Sequence, residues 1–280
     1  MSTYERYDDT SRAYDSTRTA VGIEIILGYL ASHPVPLRSQ TILDAGCGTG
    51  NYAVKIAQQG CKVICADYSK GMLARCEEKM LVGNDLKYEI LHGDISALDF
   101  GIDQFDAVVC NQSLHHLDQP GTGFTKLKTF LRHAFDSLKP NGMLIINTIT
   151  HAQLKDGVWW GDLIAPAVEK MKSRFIERAE LQAMFAEIGF ALTDTVVPLD
   201  SIIQRSGYFD PGSLYSPSFR SGDSHFALLS TDELDSVFAQ LNQMEQEGTL
   251  ESYIRQRDQL RQSIGQYTYY VGRKSSSLTA

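Results

Sequence analysis

Residues 42–52 read ILDAGCGTGNY, an apolar run followed by glycines at 46, 48 and 50 with Asp44 just ahead of them. Stripping every second side chain from a turn opens its backbone to close approach. It also costs chain entropy, roughly 0.5–1 kcal/mol per glycine relative to alanine in regular structure. A P-loop would need a lysine directly after its last glycine to neutralise phosphate, and here Lys55 comes too late. The dinucleotide fingerprint would need a third glycine where this chain has Asn51. A plain structural turn is the remaining alternative.

Other residues could supply chemistry around that turn. The run VICADYS ends on Asp67, and a carboxylate at a strand's carboxyl end beside a switch point can accept hydrogen bonds from both ribose hydroxyls. Histidine is the side chain matched to removing a proton near neutral pH. His115 and His116 are adjacent, so on a helical turn they point about 100° apart and at most one faces a reacting atom. His115 is the better base candidate, with His116 as packing or support. His151 and His225 are weaker alternatives. Asp223 could orient a histidine or bind a substrate ammonium, with a solvated loop position as the plainer reading.

The elements that would carry these residues alternate in type. Strands are expected at 41–46, 62–68, 86–94, 105–112, 142–149, 190–198 and 266–274, separated by helical stretches. The first, second and fourth are continuous apolar runs, as for strands buried on both faces. Ser69 reads as the N-cap of the helix after the second strand, and Gly189 as the C-cap of the helix through 178–188. Ala20, Ile23, Leu27 and Leu30 form a stripe that would face the sheet. Residues 199–262 break the alternation with an aromatic, Gly/Ser/Pro-rich loop and two charged helices.

The chain has 280 residues and a formal net charge of −8. An acidic surface repels the phosphate backbone, which argues against nucleic acid as partner. The five cysteines include no Cys-x-x-Cys pair and suggest buried, reduced thiols, and no metal cluster is visible. Absence of an apolar leader or a long apolar span suggests a soluble, cytoplasmic protein.

The segment DAGCGTG resembles motif I of the class I S-adenosylmethionine (AdoMet)-dependent methyltransferases, and the downstream strand ends keep that register over about residues 40–150. The resemblance implies a Rossmann-like α/β fold: a seven-stranded, mostly parallel sheet with helices on both faces, an N-terminal helical lid and an α-rich insertion before the last strand. It implies one integrated domain, with lid and helix at 1–38, AdoMet-binding core at 39–198, insertion at 199–262 and final strand and tail at 263–280. Asp44, Gly46, Gly48 and Gly50 would receive the methionine end and Asp67 the ribose. Tyr68 and Met72 would border the adenine, although Met72 could equally be core. Asp94 would take the adenine amino group, the Ile95 backbone the ring, and the Asn111 backbone the methionine ammonium. A segment YDDTSRAYDSTR near the start resembles lids of small-molecule methyltransferases, whose Tyr14 and Arg18, four apart on one helix face, would reach the carboxylate.

The implied reaction is in-line methyl transfer from AdoMet, leaving S-adenosylhomocysteine, to an oxygen, nitrogen or carbon of a small molecule without a metal. Tyr7, Tyr14, Trp159 and Trp160 are candidates to hold the sulfonium through their ring faces. Tyr208, Phe209, Tyr215, Phe219 and Phe226 suggest an apolar acceptor or simply fill the insertion. The alternatives are an RNA-modifying enzyme and a catalytically silent AdoMet-fold binding protein. Neither nucleic acid nor membrane is an expected partner, and a homodimer is allowed.

Overall fold

The computed structural model describes Asp15, residues 18–83 and residues 85–275. Seven strands form one sheet: β1 (Thr41–Ala45), β2 (Lys62–Asp67), β3 (Lys87–His92), β4 (Phe105–Asn111), β5 (Leu138–Thr148), β6 (Phe190–Val196) and β7 (Thr268–Lys274). Their spatial order is β3-β2-β1-β4-β5-β7-β6. All neighbours run parallel except β7, which is antiparallel to both β5 and β6. The order reverses between β1 and β4, and open α/β sheets bind ligands outside the strand ends at such a point.

Burial explains the strand types. Every residue of β4 is buried, and so are all but the ends of β1 and β2. Edge strand β3 instead alternates exposed with half-buried positions, as one-sided burial requires. Alternate residues feed two cores. Leu43, Ala45, Val108 and Cys110 enter one, while Ile42, Val63, Ala107 and Val109 enter the other.

The helices are α1 (Ile23–Ala31), α2 (Asn51–Ala57), α3 (Lys70–Val82), α4 (Thr125–Ser137), α5 (His151–Asp156), α6 (Ala165–Lys172), α7 (Arg178–Ile188), α8 (Pro217–Ser221), α9 (Thr231–Gln246) and α10 (Leu250–Ile264). Ser69 caps α3 by accepting the Met72 N–H at 3.1 Å, and Gly189 ends α7 with φ 109°, both as expected. Two expectations need correction. The seam of α1 is Ile26 and Leu30, both fully buried, with Ile23 and Leu27 only flanking it. Strand β5 starts at Leu138 rather than 142, because Asn141 at φ 66° lets the chain bend without leaving the sheet.

The insertion shares a third core with residues 154–175, centred on Trp159, Trp160, Tyr208, Phe226, Val237 and Leu241. Helix α9 begins with a reciprocal capping box between Ser230 and Glu233. Helix α10 buries charge rather than apolar surface. Arg257 bonds Asp156 at 2.9 Å and Asp162 at 3.0 Å, and Arg261 bonds Asp258 at 2.6 Å. Each buried guanidinium therefore has a carboxylate partner, which is the condition for placing it there. No helix among the described residues is long and apolar enough to cross a membrane.

Candidate active site

The glycine turn leaves β1 and doubles back over β2: the N–H groups of Gly46 and Cys47 both donate to the Ala66 carbonyl, at 2.8 and 3.0 Å. Gly46, Gly48 and Gly50 have φ of 74°, 54° and 78°, a region L side chains rarely adopt. The packing around them differs. A Cβ on Gly50 would lie 2.5 Å from Cys76 Sγ, whereas one on Gly48 would meet nothing within 4 Å. Gly50 is therefore needed for packing, and Gly48 leaves its backbone open.

The turn floors a cavity of about 370 Å³. Arg18 and Asp44 line it beside the turn, Asn111 and His115 line it after β4, and Asp223 and Phe226 close it from the insertion. Asp44 is 1% exposed, its Oδ2 has no partner among the described residues, and burial raises its pKa well above the ordinary value. Neither polar atom of the Asn111 side chain has a partner among the described residues. Buried polar groups are normally satisfied, so these atoms mark a wall built to meet a polar ligand. A bare glycine backbone, an unpaired amide and a nearby carboxylate at a switch point fit the amino-acid end and ribose of AdoMet.

The nucleoside-side candidates lie outside the cavity lining. Asp67 accepts the Gly48 N–H at 2.9 Å and the Ser69 N–H at 2.8 Å. Burial raises its pKa, and those two donors oppose the rise. Asp94 accepts from Ser96 N–H and Oγ, and it pairs with Lys126 at 2.8 Å. Burial works against its charge, but the Lys126 and Ser96 hydrogen bonds outweigh burial and lower its pKa. Tyr68 is half exposed, while Met72 and Ile95 are buried.

His115 and His116 lie on a single 3₁₀ turn, Leu114–His116, with ring centroids 3.9 Å apart. Only His115 reaches the cavity. Its ring stacks on Phe175 at 4.4 Å. Burial, then the charges of His116, His225, Arg174 and Arg18, push its pKa well below the ordinary value. Burial and Arg174 push His116 down to about 3. His151 bonds the Phe175 carbonyl at 2.7 Å and pairs with Glu177, which makes it a strut.

Several expectations change. Asp223 is not solvated: it is 6% exposed and hydrogen-bonded to His225 at 2.6 Å. Trp159 and Trp160 are wholly buried in the insertion core rather than lining the cavity, and Trp159 Nε1 donates to the Tyr208 carbonyl. Of the five aromatics in the insertion loop only Phe226 lines the cavity. Tyr208 is core, Tyr215 stacks on Phe238, and Phe209 is exposed. Arg18 lies in irregular chain rather than on a helix. Tyr7 and Tyr14 lie outside the described residues.

Two features had no sequence signal. Asp15 accepts the Thr49 hydroxyl at 2.6 Å and pairs with Lys79 at 2.7 Å; Lys79 in turn bonds Asn51 at 2.7 Å. This network ties the N-terminal segment to the glycine turn. Gln112, at φ 51°, donates to Asn147 Oδ1 at 2.7 Å, and both line the cavity. Asn111 and Asn147 are register partners across β4 and β5, so the strand pairing gathers three carboxamides at one sheet edge.

Known proteins are similar to this chain in sequence and in fold. The family model for a methyltransferase domain matches residues 42–142. A demethylmenaquinone methyltransferase of Clavibacter sepedonicus is 34% identical over 143 residues, covering 50% of this chain and 55% of its own. A cypemycin N-terminal methyltransferase of Streptomyces is 31% identical over 159 residues, covering 55% of this chain and 61% of its own. The chain thus spans little more than half the length of these relatives. Among solved structures, one described as a methyltransferase from an antibiotic biosynthesis pathway of Anabaena variabilis superposes with TM-score 0.70 at 20% identity, covering 91% of this chain and 98% of its own. Strand order agrees with the fold of that structure, and residues 42–142, which hold the glycine turn, match a methyltransferase domain.

Proposed function

We propose that this protein transfers a methyl group from AdoMet to a small molecule seated between the glycine turn and the insertion. When bound, AdoMet supplies the activated methyl on its sulfonium. The chain supplies binding, alignment and exclusion of water, and alignment alone can be worth about 7–11 kcal/mol of barrier. The backbone of the turn, open at Gly48, would take the methionine end with Asp44 and Asn111, and Arg18 is available for its carboxylate. Asp67 would accept the ribose hydroxyls, and Asp94 with the Ile95 backbone would read the adenine, with Tyr68 and Met72 bordering it. The insertion would cover the acceptor.

The observation that carries this reading is a cavity whose floor is the glycine turn and whose roof includes Asp223, Ser224 and Phe226. Relatives named for methylating menaquinone and ubiquinone precursors favour a small acceptor over RNA, as does the net charge of −8. Calorimetry tests it: AdoMet and S-adenosylhomocysteine are expected to bind, and absence of binding rejects the reading.

A further inference from the structure

We propose that His225, oriented by Asp223, is the general base of the reaction, and that the acceptor attacks through a hydroxyl oxygen, a phenol or enol on an apolar body. The assignment rests on the methyl-transfer reading above and deepens it. Asp223 Oδ1 lies 2.6 Å from His225 Nδ1 and accepts the His225 backbone N–H at 3.1 Å. The loop is pinned further by Asp223 N–H donating to the Arg220 carbonyl at 3.0 Å and Phe226 N–H to the Asp223 carbonyl at 3.1 Å. Carboxylate and ring are both buried, with side chains 8% and 9% exposed.

An ionised carboxylate can only accept, so Nδ1 carries a proton, and in the neutral ring the lone pair is then on Nε2. Nε2 is buried with no hydrogen-bond partner among the described residues. Asp223 and the residues flanking His225 in sequence, Ser224 and Phe226, line the same cavity as Gly48 and Asn111. His225 thus stands in the cavity wall, behind its lining, and Nε2 would meet a nucleophile bound there, with the third group already set as in nucleophile–base–carboxylate sites.

Charge balance favours His225 over His115. An imidazolium formed at His225 has the Asp223 carboxylate beside it as a buried counter-ion, which a buried site tolerates. Burial would raise the Asp223 pKa, but the His225 charge and hydrogen bond, helped by Arg18, hold it at about 2, so the carboxylate stays ionised. His115 has no such counter-ion: it packs between His116 and Phe175 and would become an uncompensated buried cation. Among the described residues, His115 and Arg18 act on the dyad or are acted on by it, and Arg220 lines the same cavity.

In the step, Nε2 takes the hydroxyl proton as the acceptor oxygen bonds the methyl carbon and the S–CH₃ bond breaks, its electron pair staying on sulfur. The imidazolium is neutralised by Asp223 and returns its proton to solvent after product leaves. A hydroxyl that keeps its proton at neutral pH is the nucleophile that needs such a base. The cavity's Phe226, Ile203 and Val21 suit an apolar body.

The test uses the full-length protein saturated with S-adenosylhomocysteine and para-nitrophenol as probe, because its phenolate is coloured. Wild type is expected to bind the probe as phenolate at a pH below the free phenol's own midpoint. His225→Gln should abolish the colour, and Asp223→Asn should lower the phenolate fraction by about tenfold, one unit of proton affinity. Nitrogen NMR of histidine-labelled wild type should report the Nδ1–H tautomer at His225, with Asp223→Asn losing it. Probe bound neutral or not bound by wild type, equal colour in His225→Gln, or the Nε2–H tautomer would each overturn the assignment. Calorimetry with AdoMet on the same samples separates the two ideas: binding without phenolate formation sinks the base alone, and no binding sinks methyl transfer.

Discussion

The carboxylate that ends β2 reaches back to the turn that follows β1: Asp67 Oδ2 accepts the Gly48 N–H at 2.9 Å. Its other oxygen holds the Ser69 N–H at 2.8 Å. Asp67 thus shapes the floor of the cavity, and it is the residue proposed for the ribose. Asp67→Ala is expected to weaken AdoMet binding by about 1–3 kcal/mol, the loss of charge-assisted hydrogen bonds. Isothermal calorimetry measures this, and unchanged affinity rejects the ribose role.

Gly48 and Gly50 should separate affinity from stability. Gly50→Ala forces a methyl to within 2.5 Å of Cys76 Sγ at φ 78°, and it is expected to cost about 1–3 kcal/mol in denaturant unfolding. Gly48→Ala has open space but also a left-handed φ of 54°. It should cost only about 1 kcal/mol of stability while its new methyl obstructs the ligand, so AdoMet affinity falls more than the melting point does.

Buried histidine sets an acid limit on stability. His116 titrates near 6.5 when unfolded but at about 3 in the fold. Below pH 6.5 the unfolded chain binds a proton that the folded one refuses. The stabilising effect is complete above pH 6.5 and is lost as pH falls through the window down to about 3. The slope per histidine approaches about 1.4 kcal/mol per pH unit, and His115 adds in the same direction. His116→Gln should flatten the stability–pH curve in that window, as read from urea midpoints.

Trp160 anchors the roof. It is wholly buried, crosses Trp159 edge-on at 5.2 Å and contacts Tyr208 at 5.5 Å. Trp160→Ala should destabilise by about 3–5 kcal/mol, the usual cost of emptying a large aromatic site. Hydrogen exchange should then rise across 205–241 before it rises in β1 or β4.

Reading the chain locally recovered much of the frame because its signals are local. Buried parallel strands need unbroken apolar runs, so β1, β2 and β4 announce themselves. Capping needs specific residues, so Ser69 and Gly189 were legible. The roof was not. Asp223 read as a solvated loop carboxylate, because burial of a loop depends on what packs over it. Tyr208 and Phe226 both belong to the core under the roof, yet only Phe226 also reaches the cavity. Arg257 looked like one charge on a polar helix, while its partners Asp156 and Asp162 lie about a hundred positions away.

Sequence alone determined that the turn lacks side chains at 46, 48 and 50 and that a carboxylate stands at 67, since these are properties of residue type and spacing, while the ligand was what the resemblance implied. Only the tertiary structure decided which histidine has a carboxylate behind it. His115, His116, His151 and His225 have the same intrinsic chemistry, and their differences arise from burial and from neighbours brought together by folding. Burial leaves His116 neutral, Glu177 and the Phe175 carbonyl turn His151 into a strut, and Asp223 leaves His225 with a fixed proton on one nitrogen.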